Sequence, residues 1–279
     1  MSTTKQTKRT VASILLAIAS VVYVSPLFII LFNSFKSKTY INMEPFKLPT
    51  ADTFAGWANY MSAIDDYGFL SSVGWTVMIT VGSVLAILLF CSMFAWFITR
   101  AKTVFTRTLF MLCVFSMVVP FQMVMFTLSK TADTLKLNTP WGIIIVYLGF
   151  GAGLAVFLFT GFVKSIPLEI EEAATIDGCG PVAVFFRIVL PIMQPTYITV
   201  GILQTMWIWN DFLLPYLVLD RKLYTTISMV IQMMKGSFGR VDMGAIMACL
   251  IMAVIPMIIF YLAAQKHIIE GVAAGAVKG

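Results

Sequence analysis

Residues 164–187 read KSIPLEIEEAATIDGCGPVAVFFR, and this segment lies between two long apolar stretches at 137–163 and 188–210. It carries six charged residues in 24 positions. Placing a single charge at the centre of a bilayer costs roughly 2.5–3.5 kcal/mol. We therefore expect the segment to lie outside the hydrocarbon, as a loop that joins two membrane spans.

The composition of the whole chain is that of a membrane protein. Hydrophobic residues make up 59% of it and charged residues 11%, whereas soluble domains contain about 25% charged residues. Six stretches of more than 20 residues lack Asp, Glu, Lys and Arg, and about 20 helical residues cross a bilayer core. They are apolar all round, whereas the strands of a β-barrel alternate over about 10 residues. The sequence predicts an all-α, single-domain membrane protein over residues 1–279, with six spans at about 11–32, 73–98, 108–129, 140–163, 188–214 and 243–265.

The N-terminus has two interpretations. Lys5, Lys8 and Arg9 precede an apolar run, as in a signal peptide, but the run continues to Phe35, beyond the usual apolar core of about 7–15 residues. We expect a first helix that is retained. An even number of spans places both termini on one side, and Lys and Arg divide ten to nine between the two sides. The positive-inside rule therefore barely decides the orientation, and only the basic flank of the first helix favours cytoplasmic termini.

The loop at 164–187 has helical signals of its own. Ser165 is a candidate N-cap, Pro167 suits the first turn, and Gly178 suits the C-terminal stop, so we expect a helix from about Pro167 to Asp177. Pro181 is expected to open a second helix that leads into the fifth span. Small and apolar residues recur on one face of the first helix, which permits close approach of another surface; the alternative is an ordinary amphipathic loop at the interface. That face consists of Ile170, Ala173, Ala174 and Asp177.

The loop also contains the spacing E-A-A-x3-G-x9-I-x-L-P, and in this it resembles the cytoplasmic loop of permease subunits in binding-protein-dependent ABC importers. The resemblance implies a coupling helix, between spans 4 and 5, that is held in a groove of an ATPase subunit and moves the attached spans when two ATPase subunits close. It implies residence in the bacterial inner membrane. It also implies three partners besides membrane lipid: a second permease subunit, an ATPase dimer that binds ATP and Mg, and an extracytoplasmic solute-binding protein. The matching residues are Glu172, Ala173, Ala174, Gly178, Ile188, Leu190 and Pro191.

Two further segments resemble carbohydrate-importer permeases of the maltose and glycerol-phosphate kind. They are WIWNDFLLP at 207–215 and GVAAGAVKG at 271–279, and they imply a sugar or a sugar-like solute as substrate. An ionisable residue at the margin of a span is a candidate for the substrate pathway, although it could equally face headgroup water, and the aromatic residues could form an interfacial belt. The candidates for the pathway are Trp209, Asn210, Asp211 and Gln122.

The chain has no nucleotide-binding sequence of its own. The phosphate-binding pattern G-x-x-x-x-G-K-[ST] does not occur, and neither the four cysteines nor His267 show metal-ligand spacing. We therefore expect no catalytic residue, cofactor, metal or nucleic-acid partner in this chain. The alternative function is a stand-alone secondary transporter or channel, and a third is a membrane scaffold. Neither of them needs a docking loop. A transporter that couples to ions would also need charged residues in its spans.

Overall fold

The computed structural model describes residues 3–235 and 241–276, with side chains described between 9 and 266. Within these ranges the chain is helical and contains no strand, which confirms the all-α class; a single β-bridge pairs Lys36 with Phe54. The side chain of His267 and the residues 277–279 of the tail lie outside the described part. In chain order the helices are α1 (Thr3–Asn33), α2 (Lys38–Met43), α3 (Ala58–Asp65), α4 (Phe69–Arg100), α5 (Val104–Val118), α6 (Phe121–Thr134), α7 (Pro140–Val163), α8 (Leu168–Ile176), α9 (Pro181–Val184), a π-helical turn (Phe185–Val189), α10 (Leu190–Ile192), α11 (Gln194–Asn210), α12 (Leu213–Val218), α13 (Ile227–Met233) and α14 (Met243–Ala276).

Four helices, α1, α4, α7 and α14, are individually long and apolar enough to cross a membrane. Two pairs of helices are also long and apolar enough to cross a membrane if each pair counts as one bent span. They are α5 with α6, bent by 108°, and the segment Pro181–Ile192 with α11, bent by 77°. Among the described residues the number of candidate spans is therefore four to six, and the count of six stays a prediction.

The third predicted span, 108–129, is not one helix. α5 ends at Val118, and Val119 is extended with φ −74° and ψ 116°. Pro120 then precedes α6. Proline has no N–H and drives the residue before it out of the helical conformation, which explains the break at this position.

The fifth predicted span, 188–214, is also interrupted. The chain bends at Met193, next to Gln194 and Pro195 at the start of α11. α11 then ends at Asn210 because Asp211 is extended, with φ −70° and ψ 131°. The second helix begins at Pro181, as expected, but it is the short helix α9, and the residues of the fifth predicted span are divided among the π-helical turn, α10, α11 and α12.

The chain divides into two compact units, of which the first comprises Met1–Leu70 and Val230–Ile258. The segment that joins α1 to α4 contains the short helices α2 and α3. Lys36 is buried, its Nζ donates to the Glu44 carbonyl at 2.8 Å, and burial lowers its pKa, although Glu44 opposes that shift. The amide of Asn59 donates to the carbonyls of Ser34 and Lys36, both at 2.8 Å. These contacts fold the segment into a defined structure.

The second unit comprises Ser71–Met229 and Ile259–Gly279, and its core surrounds α7. α5 and α11 both pack against α7, and α12 packs against α6. Gly153 permits the close approach of α5, because a Cβ there would lie 2.7 Å from Met117 Cγ. At Gly149, one turn earlier on α7, a Cβ would meet no atom within 4 Å. α7 thus positions the loop that follows it.

Candidate functional site

The helix predicted in the 164–187 loop is α8, Leu168–Ile176. Its N-cap is Pro167, which provides no side-chain hydrogen bond. The Ser165 hydroxyl instead donates to the Phe162 carbonyl at 2.7 Å, so the assignment of Ser165 as N-cap is wrong. Glu169 and Glu171 lie in the first turn, where the helix dipole stabilises negative charge.

Gly178 ends this helix in the manner expected. Its φ is +88°, a left-handed conformation that costs residues with a side chain about 1–2 kcal/mol. The Gly178 N–H donates to the Thr175 carbonyl and the Cys179 N–H donates to the Ala174 carbonyl, both at 3.0 Å. These two bonds form a Schellman motif, which satisfies carbonyls left free at the end of the helix.

One side of α8 is fixed to the end of α4. The Glu171 side chain is 7% exposed, and one of its oxygens accepts from Arg100 Nη2 at 2.6 Å and from Arg100 Nε at 3.0 Å. The other oxygen accepts from Trp96 Nε1 at 2.9 Å. Charged hydrogen bonds of this kind are about twice as strong as neutral ones, so Glu171 holds α8 in a defined place.

Arg100 extends the same network to the end of α7. Its Nη2 also donates to the Ile166 carbonyl at 3.0 Å and to the Val163 carbonyl at 3.3 Å. A single guanidinium therefore joins the ends of α4 and α7 to α8. The sequence alone does not indicate the pairing of Arg100 with Glu171, since their proximity depends on tertiary structure.

The opposite side of α8 is open. Glu172 and Ala173 are exposed, and two apolar side chains are exposed beside them, Ile170 at 41% and Ile176 at 86%. Ala174, which was expected on the same face, instead packs against the buried core. A hollow of about 540 Å³ is lined by residues of α4, α8 and α9, and it includes residues from both the fixed and the open side of α8.

The remaining residues of the motif lie beyond Gly178 and are not in one regular helix. Ile188 is part of the π-helical turn, whereas Leu190 and Pro191 belong to α10. Ile188 and Leu190 are half-buried and Pro191 is exposed. Phe185, at the start of the turn, is buried and stacks at a tilt on Trp96 with the ring centroids 5.5 Å apart. The turn therefore packs on the same tryptophan that contacts Glu171.

Asp211 has structural partners on both sides. Its Oδ2 accepts from the Tyr147 hydroxyl at 3.0 Å, and its Oδ1 accepts from the Leu213 N–H at 3.0 Å. The second bond satisfies an N–H at the start of α12. Trp207 meets the Tyr147 ring edge to face at 5.5 Å. Asp211 thus joins the end of α11 to α7 and α12.

The other pathway candidates do not form a cluster with Asp211. Asn210 is exposed and donates to the Met206 carbonyl at 2.7 Å within its own helix, Trp209 is half-buried, and Gln122 is exposed in the first turn of α6. Within the described ranges, no hydrogen bond or ring contact joins these residues, and no group of three His, Cys, Asp or Glu side chains could hold a metal ion.

Comparison with known proteins identifies relatives along almost the whole chain. The chain is 37% identical over 262 residues to the probable starch degradation products transport system permease protein AmyC of Thermoanaerobacterium thermosulfurigenes, with 94% of each chain covered. It is 32% identical over 270 residues to the multiple sugar-binding transport system permease protein MsmG of Streptococcus mutans, with 95% of each covered.

The fold also matches a solved structure. A chain in the crystal structure of a bacterial ABC transporter involved in the import of the acidic polysaccharide alginate superposes with a TM-score of 0.79 at 21% identity, covering 95% of this chain and 98% of that one. The sequence pattern of a family described as the binding-protein-dependent transport system inner membrane component matches residues 79–273. The chain therefore belongs to the family of inner membrane components of binding-protein-dependent transport systems.

Proposed function

We propose that this chain is the transmembrane permease subunit of an ATP-driven importer that takes up a sugar or a sugar-like solute by alternating access. The observation that carries the proposal is the arrangement of α8, which is fixed to α4 on one side and exposes Glu172, Ala173 and Ile176 on the other. A helix held in this way can receive a partner without losing its connection to the spans.

The solute class is supported by the relatives. The protein of Thermoanaerobacterium is described as a permease for starch degradation products, and that of Streptococcus as a permease for multiple sugars. The aromatic residues near Asp211 agree with this class, since aromatic faces can stack on sugar rings. Trp207 is 41% exposed and Trp209 is half-buried.

Energy reaches the permease through α8 in this proposal. ATP and Mg bind to the partner ATPase, and closure of the ATPase dimer displaces a coupling surface that consists of Glu172, Ala173, Gly178, Ile188, Leu190 and Pro191. Ala174, the remaining residue of the motif, packs behind this surface against the core. Arg100 and Glu171 act behind that surface as positioning residues. Because their hydrogen bonds tie α8 to the ends of α4 and α7, a displacement of α8 moves both spans rather than the loop alone.

The substrate pathway is proposed to run past Gln122, Trp209, Asn210 and Asp211. The role of Asp211 that the geometry supports is to hold the end of α11 in place, through Tyr147 and the Leu213 N–H. Asn210 and Gln122, which are exposed, are the residues free to contact solute.

The proposed assembly contains a second permease subunit, an ATPase dimer and an extracytoplasmic solute-binding protein, in the bacterial inner membrane. The chain crosses the membrane six times, with both termini and α8 in the cytoplasm and the 51–66 segment outside. We expect Lys164→Cys, in a variant without the four native cysteines, to react with an impermeant thiol reagent only after the cells are opened, since Lys164 is exposed. Reaction in intact cells would reverse the orientation.

Reconstitution into liposomes separates the proposal from the alternative functions. We expect sugar uptake only when the chain is combined with its partners, ATP and Mg, and no ATP hydrolysis by the chain alone. Sustained, solute-specific flux by the isolated chain, driven by a proton or sodium gradient, would favour a secondary transporter. Failure of any ATPase to copurify with the chain would favour a scaffold.

A further inference from the structure

A second pocket lies beside the Arg100 network, and Arg100 itself contributes to its lining. Its volume is about 650 Å³, within the range of roughly 300–1,000 Å³ that is usual for small-molecule sites. The end of α4, the start of α5 and the end of α7 form its walls. Two of these helices are long enough to cross the membrane, so the pocket lies where they emerge from the bilayer.

The lining of this pocket is strongly basic. Lys102, Arg107, Lys164 and Arg100 contribute to it, and no acidic side chain does so among the described residues. The charge of Arg100 is balanced by Glu171. In the part of the chain that the structure describes, the other three cations make no ion pair; the Lys164 ammonium lies 5.6 Å from the centroid of the Phe110 ring. The pocket thus holds three positive charges that are not neutralised.

A buried hydroxyl at the same pocket also lacks a partner. Thr160 lines the pocket and is 3% exposed, and its Oγ1 makes no hydrogen bond within the described residues. Buried polar atoms are nearly always hydrogen-bonded. The first turn of α5, which begins at Val104 after the Thr103 cap, adds the positive end of a helix dipole. Three independent features therefore favour an anion in this place.

The surroundings of the pocket favour a lipid over a dissolved anion. Val104 is 84% exposed and Phe105 is 67% exposed, and both lie in the first turn of α5, next to the basic residues. Apolar side chains at such a position are suited to contact acyl chains while lysine and arginine contact headgroups. Basic pockets between membrane helices are known to bind anionic lipid headgroups.

We propose that this pocket binds the phosphate headgroup of an anionic phospholipid. Lys102, Arg107 and Lys164 contact the phosphate oxygens, the Thr160 hydroxyl supplies a hydrogen bond, and Val104 and Phe105 lie among the acyl chains. The leaflet rests on the proposed function, which places this end of the spans in the cytoplasm; binding itself does not depend on that orientation or on transport.

The test is lipid retention by the full-length protein in detergent, measured by native mass spectrometry with added phosphatidylglycerol or phosphatidylcholine. We expect preferential retention of phosphatidylglycerol, and a loss of affinity of about tenfold or more in Lys102→Gln/Arg107→Gln, since each basic residue near the surface contributes about 1 kcal/mol. The matched control is Lys130→Gln/Lys222→Gln, which removes the same charge from exposed residues that do not line the pocket.

Thr160→Val provides a second variant with no change in charge or in shape. If the hydroxyl contacts the headgroup, this variant loses affinity for phosphatidylglycerol while the protein stays monodisperse. An unchanged affinity together with a higher melting temperature would mean that Thr160 has no ligand, and that would overturn the assignment.

Three other results would also overturn the proposal. They are equal retention of the two lipids, equal loss of phosphatidylglycerol in the control variant, and equal stabilisation by inorganic phosphate or glycerol 3-phosphate in place of lipid. Each is measured without transport, so the failure of this proposal is distinct from a failure of the proposed function. A preference for phosphatidylglycerol in a chain that shows no ATP-dependent uptake with its partners would support lipid binding and contradict the proposed transport function.

Discussion

The two sides of α8 differ in burial, although the residues on them are neighbours in the sequence. Glu171 is buried and holds Arg100 and Trp96, whereas Glu172, the next residue, is exposed. Successive residues on a helix point about 100° apart, and here that rotation separates a fixed side from an open side. In the proposed function these two chemically identical residues have different tasks, since one positions the helix and the other meets a partner.

The largest effect is expected from breaking the fixed side. Arg100→Met leaves the Glu171 carboxylate buried without its cation, and removing one partner of a buried pair costs about 3–5 kcal/mol. We expect a clear fall in the melting temperature of the purified protein and loss of uptake.

The double variant Arg100→Met/Glu171→Met sharpens that result. Replacing both partners of a buried ion pair by apolar residues is often neutral for stability, so most of the melting temperature should return. Uptake should stay low, because α8 is no longer tied to α4 and α7. Full recovery of uptake in the double variant would show that the ion pair has no role in positioning.

A smaller effect is expected from a change at Gly178, the residue at which α8 ends. A Cβ at this position would meet no atom within 4 Å, so the cost of Gly178→Val is conformational, about 1–2 kcal/mol for a left-handed residue. Gly178→Asn is the matched control, since asparagine adopts this conformation more readily. We expect uptake to fall in the valine variant and to persist in the asparagine variant; equal activity in both would contradict the role of the turn.

The open side should tolerate a change of charge without loss of stability. Glu172→Lys alters an exposed residue, and its cost from the helix dipole is at most about 0.3–1 kcal/mol. Copurification of the ATPase should nevertheless weaken, because the charge of the contact surface is reversed. Undiminished copurification would remove Glu172 from the coupling surface.

The smallest change in folding is expected for Ile176→Ser. The Ile176 side chain is 86% exposed, and surface substitutions are usually within about 0.5 kcal/mol. If the side chain becomes buried against the ATPase, its loss should lower the yield of complex at an unchanged melting temperature. The partly buried Ala174 is the matched position: Ala174→Ser should instead affect the permease itself.

Local features of α8 could be predicted from the sequence. The helix bounds differ from those expected by one residue at each end, and the left-handed Gly178 follows from the need to stop a helix before another element. Arg100 and Glu171 could not be paired in advance, because 71 positions separate them in the chain and either of two adjacent glutamates could have been the partner.

The broken spans show a different limit. Pro120 interrupts a predicted span, whereas Pro26 and Pro256 lie inside α1 and α14 without ending them. Membrane helices tolerate proline when neighbouring groups satisfy the freed carbonyl, so the residue type alone does not decide between a break and a continuous helix. The length of a charge-free stretch predicted where polar loops lie, but not the direction of the chain inside each stretch.

The π-helical turn at Phe185–Val189 joins α9 to α10. A turn with i→i+5 bonds accommodates one residue more than an α-helical turn, so it acts like an insertion that the fold has retained. Deleting one of its residues would restore an ordinary turn and rotate everything after it by about 100° relative to what precedes it. The rotation of α10 about its axis relative to α9 thus depends on a single extra residue, and a one-residue change of chain length there would rotate the one relative to the other while leaving both helices intact.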